Sequence, residues 1–152
     1  MSALDEFVYR RVHRASPQLL FECLTTPEHL TCFWGPAGTR TPLDRIVVDL
    51  RPGGAFETVM VSESDGSEHH MRAVYEVVDP PTRLAWQEVG SGMLTDITFH
   101  DQADGTTEVV TTQRRVPAHY AHPQARAGWA TSLDRYAAYV TSLGEPDRTR
   151  AE

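Results

Sequence analysis

Lysine is absent from all 152 residues, and each of the 14 basic side chains is an arginine. Such a chain has no phosphate-loop lysine, no Schiff-base lysine and no lysine general base, which removes several enzyme classes at once. Long apolar runs are missing too. Stretches such as Ile46-Val47-Val48 fall far short of the ~20 residues that a membrane-spanning helix needs, so no stable membrane insertion is expected. Cysteine is scarce: Cys23 and Cys32 have a spacing that fits neither a metal knuckle nor a redox pair, and both are read as free thiols. Positive charge is short as well. A net charge of −7 without an arginine cluster longer than a pair argues against a nucleic-acid-binding face or an anionic-membrane patch.

What is present suits one ordinary folded domain. Hydrophobic residues make up 40% and charged residues 23%, enough to bury a sizeable core and well clear of a disordered profile. The opening Met1-Ser2-Ala3-Leu4-Asp5-Glu6 is acidic rather than leader-like, so a cytoplasmic location is expected. Residues 1–143 are read as a single domain. The polar, proline-containing segment 144–152 reads as a flexible tail.

Periodicity sets the order of elements. Phe7 to Arg14 alternates as a strand and runs into Ser16-Pro17, a cap followed by a first-turn proline that starts a helix carrying Leu19, Leu20, Cys23 and Leu24. Thr26-Pro27-Glu28 repeats the signal for a second short helix, stopped by Gly35-Pro36. Six period-two runs follow, near Arg45–Leu50, Ala55–Ser62, Glu68–Val78, Arg83–Glu88, Met93–His100 and Thr106–Arg114. Their breaks are short turns, such as Asp65-Gly66 and Asp104-Gly105, which make an antiparallel meander. From about Pro123 to Leu143 the period returns to 3.6, giving one long helix. The reading is an α+β fold: a curved seven-stranded antiparallel sheet wrapped around a long C-terminal helix, with two short helices after the first strand. A sheet bent over a helix tends to enclose a cavity.

The phrases Arg14-Ala15-Ser16-Pro17, Thr26-Pro27-Glu28-His29-Leu30, Phe33-Trp34-Gly35-Pro36, Asp49-Leu50-Arg51-Pro52-Gly53-Gly54, Val77-Val78-Asp79-Pro80-Pro81 and Gly128-Trp129 with Leu133 resemble the SRPBCC superfamily. Within it they resemble the branch named after the activator of heat-shock-protein ATPase, and the likeness spans roughly residues 7 to 143. The resemblance implies a helix-grip fold, START-like or Bet v 1-like, with a deep apolar pocket between sheet and long helix. It also implies a scattered set of functions: lipid and sterol carriage, hormone binding, aromatic polyketide cyclisation and co-chaperone activity. Fold alone does not choose among them.

Alternation nominates the pocket wall. Phe56, Thr58 and Met60 share one face of their strand, as do Met71, Ala73 and Tyr75, then Leu84 and Trp86, then Thr95, Ile97 and Phe99, then Val109, Thr111 and Gln113. Trp129, Leu133 and Tyr136 would close the space from the helix, with Phe33 and Trp34 at the entrance and Met93 adding adaptable lining. Any one of these aromatics serves equally as plain core packing. Tyr75, Glu88, Gln113 and His70 are the candidates for proton transfer, whereas alternation turns Glu57 outward. His69-His70 and His119 with His122 form no matching ligand set, so no metal and no cofactor is expected. The leading reading is a small-molecule binding protein for a hydrophobic ligand, lipid-like or aromatic and polyketide-like, acting as a monomer or homodimer. A cyclase- or hydratase-type enzyme using the same cavity and a co-chaperone-like interaction module are the alternatives.

Overall fold

From Ala55 to Arg114 the alternating segments become five consecutive antiparallel strands in the computed structural model, which describes residues 6–144. In chain order the elements are β1 (Phe7–His13), α1 (Pro17–Thr25), α2 (Pro27–Phe33), β2 (Thr39–Arg40), β3 (Val47–Val48), β4 (Ala55–Ser62), β5 (Glu68–Asp79), β6 (Arg83–Glu88), β7 (Leu94–Asp101), β8 (Thr107–Arg114), α3 (Ala118–Ala121) and α4 (Pro123–Gly144). Across the sheet the order is β1-β8-β7-β6-β5-β4-β2, with β3 on another part of β4. The first strand thus closes against the last, Phe7 opposite Gln113 and His13 opposite Thr107. This is the helix-grip arrangement.

Three local details differ from the sequence-based expectation. The sheet has eight strands rather than seven, because Thr39–Arg40 adds a short pairing with Val61 and Ser62. The strand expected over Arg45–Leu50 shrinks to Val47–Val48, since Pro42 leads into a 3-10 turn at Leu43–Arg45 that uses the backbone locally. Thr26 does not cap α2 with its side chain, although Ser16 Oγ accepts the Leu19 amide at 3.1 Å and caps α1 as expected. The tail expected over 144–152 lies outside the described residues except for Gly144, the last residue of α4.

The sheet bends where β5 breaks register. Tyr75 stands opposite Trp86 and Val77 opposite Ala85, leaving Glu76 as a bulge that sharpens the local twist. The glycine pair builds the neighbouring corner. Gly53, at φ +86°, donates its amide to the Tyr75 carbonyl at 2.8 Å, and the Tyr75 amide donates to the Gly54 carbonyl at 2.9 Å. A side chain on Gly54 would collide with the Asp49 carbonyl, so the close approach admits glycine alone.

The inward residues of the five central strands pack beneath α1 and the C-terminal half of α4. Leu20 is wholly buried, Phe21 meets Phe99 with ring centroids 5.6 Å apart, and Phe33 meets Tyr136 at 5.1 Å. Tyr136 donates its hydroxyl to the Leu20 carbonyl at 2.7 Å, tying α4 to α1. His13 sits edge-on to the same ring at 5.3 Å and is only 6% exposed.

Two predictions follow from this closed end. Tyr136→Phe removes a buried hydrogen bond without changing the ring, and should cost about 1 kcal/mol in denaturant unfolding; an unchanged midpoint would show that the bond contributes nothing. Burial, and then the nearby Arg11 charge, lower the pKa of His13 below its ordinary 6.5. The unfolded chain therefore takes up the proton first, so this group's contribution to stability is full above the unfolded value and is lost as pH falls towards the folded one. His13→Gln should flatten the fall in melting temperature between about pH 7 and pH 5. A variant whose pH profile runs parallel to that of the parent protein would contradict this.

Candidate functional site: a cavity between sheet and helix

The bent sheet and α4 enclose a cavity of about 590 Å³, within the range of roughly 300–1,000 Å³ common for small-molecule sites. Two features leave the space open. The sheet curves away from α4, and the helix turns Ala125, Gly128 and Ser132 towards it among larger residues. These small side chains recur at helical spacing, so they share the facing stripe and leave volume where a leucine ladder would have filled it. Exposed lining residues, among them Glu68, His69, Gln124 and Arg126, mark the mouth. His13, Leu24 and Tyr136 line the opposite, closed end.

Fourteen of the twenty residues nominated from the sequence line this cavity: Phe33, Trp34, Met60, Met71, Trp86, Met93, Thr95, Ile97, Val109, Thr111, Gln113, Trp129, Leu133 and Tyr136. Phe56, Thr58, Tyr75, Phe99, Ala73 and Leu84 point to the same side of the sheet but do not reach it. Trp34 covers the first two: its Nε1 donates to Thr58 Oγ1 at 3.2 Å and its ring stands edge-on to Phe56 at 5.4 Å. Phe56 in turn stacks on Tyr75 at 5.4 Å with ring planes 14° apart. Phe99 is buried against Phe21.

The candidates for proton transfer separate in the same way. Glu88 and Gln113 line the cavity, whereas Tyr75 and His70 do not. Tyr75 Oη is sealed without a partner, and burial pushes the phenol far above its ordinary range. His70 lies exposed on the outer face beside Glu68, at 3.2 Å, while its neighbour His69 turns inward. Glu57 also faces outward, 3.7 Å from Arg72. Burial raises the pKa of Glu88, offset in part by a hydrogen bond from Ser91 Oγ at 3.3 Å and by the charge of His119. Tyr120 is raised by burial and then by the Glu88 charge, and its hydroxyl lies 3.4 Å from His69 Nε2. Among the described residues, no three His, Cys, Asp or Glu side chains come together as a metal site.

Several lining residues were not nominated from sequence. Tyr9, Arg11 and His13 come from alternate positions of β1 and join the wall because β1 pairs with β8. Their period-two spacing was a usable signal; the pairing that aims them inward was not. Arg11 reaches Asp134 of α4 at 2.9 Å, linking the sheet edge to the helix. Arg135 donates from Nη1 to the carbonyls of Gly35, Pro36 and Thr39 at 2.8, 3.0 and 3.2 Å, and so holds the loop after α2 against α4. That loop adds Gly35, Pro36 and Thr39 to the lining.

Comparison with known proteins agrees with this architecture. A protein from Chromobacterium violaceum of known structure superposes with a TM-score of 0.79 at 24% identity, covering 94% of this chain and 99% of that one. An AHSA1-like protein from Aeromonas hydrophila gives 0.73 at 23% identity over 91% and 94% of the two chains. The AHSA1 protein from Silicibacter pomeroyi gives 0.75 at 20% identity over 91% and 99%. At such identities the likeness shows the fold. No curated protein matches the chain. The family model described as Activator of Hsp90 ATPase homolog 1-like protein matches residues 14–141, and the chain belongs to that family, within the SRPBCC superfamily.

Proposed function

We propose that this protein binds a hydrophobic small molecule, lipid-like or aromatic and polyketide-like, inside the cavity. The observation that carries the reading is a volume of about 590 Å³ lined by Trp34, Trp86 and Trp129 together with Met60, Met71 and Met93. Flat rings and flexible thioethers together accommodate planar or chain-like apolar ligands of varied outline. Membership of the family supports a ligand-binding or interaction module in general. No helix among the described residues is long and apolar enough to cross a membrane. In this reading residues 1–143 act as one unit in the cytoplasm, as a monomer or a homodimer.

A second reading, a cyclase- or hydratase-type enzyme, is favoured by one observation. Glu88, Tyr120 and His69 line the same cavity near its mouth, where a carboxylate with a raised pKa and a phenol could exchange protons with a bound substrate. Turnover that Glu88→Gln abolishes while binding persists would select this reading over a carrier.

Native mass spectrometry and thermal-shift screening against lipids, flavonoids and polyketide-like aromatics test the binding function. A ligand at about a hundred times its dissociation constant stabilises the folded state by about 2.7 kcal/mol, a readily measured rise in melting temperature. Ser132→Phe places a ring in the cavity from α4, and should weaken any such ligand at least tenfold while leaving the fold intact by circular dichroism. Equal binding by the parent and this variant would place the ligand elsewhere.

A further inference from the structure

The cavity wall is divided by polarity. On β1, β7 and β8 the lining includes Tyr9, Thr95, Thr111 and Gln113, with Tyr9 opposite Thr111 and Gln113 opposite Thr95 in the strand register. None of the four side chains makes a hydrogen bond among the described residues. Their polar atoms are not sealed in protein either, unlike Tyr75 Oη and Trp129 Nε1, so they open on the space they line. Polar groups in such a place need a partner from whatever occupies the cavity. The wall contributed by β4, β5 and β6 is different: Met60, Met71 and Trp86 face the cavity there, the polar residues of these strands, Ser62, Glu68, His69 and Glu88, lie towards the mouth, and the N–H of the nearby Trp34 is already donated to Thr58.

Of the cations lining the cavity, Arg11 pairs with Asp134 at 2.9 Å and burial favours the neutral form of His13, while Arg126 stands exposed at the mouth over the Phe7 ring at 3.8 Å. Glu68 and Glu88 add negative charge towards the mouth. A carboxylate lying on Tyr9, Thr95, Thr111 and Gln113 would shed its hydration for neutral donors alone, whereas an uncharged oxygen needs only those O–H and N–H donors.

Resting on the binding function above, we infer that the preferred ligand is an uncharged amphipathic molecule. Its apolar ring or chain lies on Met60, Met71 and Trp86, and a carbonyl or hydroxyl oxygen lies on Tyr9, Thr95, Thr111 and Gln113.

Three naphthalene probes of nearly equal size test this with the full chain, followed by two-dimensional amide NMR titration: 2-acetylnaphthalene, 2-ethylnaphthalene and 2-naphthoate. The ketone should bind about tenfold more tightly than the other two, the discrimination expected of roughly one net hydrogen bond. Thr111→Val, which keeps side-chain shape, and Gln113→Leu should each narrow the gap between ketone and hydrocarbon. Tyr9→Phe provides the same readout should either variant fail to fold. If the hydrocarbon binds as well as the ketone, or the carboxylate binds best, the inference falls and the binding function stands. If none of the three probes binds, the binding function falls with it.

Discussion

A straight helix and a strongly bent sheet can touch along only part of their length, and the structure is organised around that mismatch. The bulge at Glu76 and the glycine corner at Gly53-Gly54 bend the sheet. Contact is concentrated at the C-terminal half of α4, where Tyr136 and Val140 enter the core and the Tyr136 hydroxyl bonds the α1 backbone. From Arg135 back towards its N-terminus, α4 is joined to the rest of the molecule by polar, aromatic and cation-π links, Arg135 to the loop after α2, Arg11 to Asp134, Tyr9 to Trp129, and Arg126 to Phe7. Between these attachments the surfaces separate, and the small residues of α4 leave the space between them unfilled.

A separation of this size has an energetic consequence. A dry cavity of about 590 Å³, at about 24 cal/mol per Å³, would cost on the order of 14 kcal/mol, comparable with the whole stability of a domain at about 5–15 kcal/mol. The fold is therefore compatible with this volume only because the mouth admits water or a ligand. The polar residues of β1, β7 and β8 suit that requirement, since they offer hydrogen bonds to an occupant that the methionine and tryptophan wall does not. A ligand that displaces poorly bound water from the apolar side and replaces its hydrogen bonds on the polar side gains on both counts.

Much of the architecture was legible in the sequence because short-range chemistry decides it. The alternation of β4 to β8 named the inward faces, the Ser16-Pro17 pair marked the start of α1, and the 3.6 period placed α4. Even the opposite facings of His69 and His70, and of Glu57 against the lining, follow from a period of two. What escaped was depth. Alternation treated Phe56, Thr58, Tyr75 and Phe99 as equivalent to their cavity-lining neighbours, but Trp34 folds over Phe56 and Thr58, Phe56 over Tyr75, and Phe21 over Phe99, each from a segment far away in the chain.

The sequence by itself determined the main helices and the strands β1 and β4 to β8, which face of each of these strands is turned inward, and which chemistry is excluded for want of lysine. Those properties depend on neighbours within a few positions or on composition. Tertiary structure alone decided that β1 lies beside β8, bringing Tyr9, Arg11 and His13 into the wall, and that the small residues of α4 stand opposite the curve of the sheet. Whether an inward residue meets a cavity or another side chain depends on what the rest of the chain lays over it, and no local pattern carries that information.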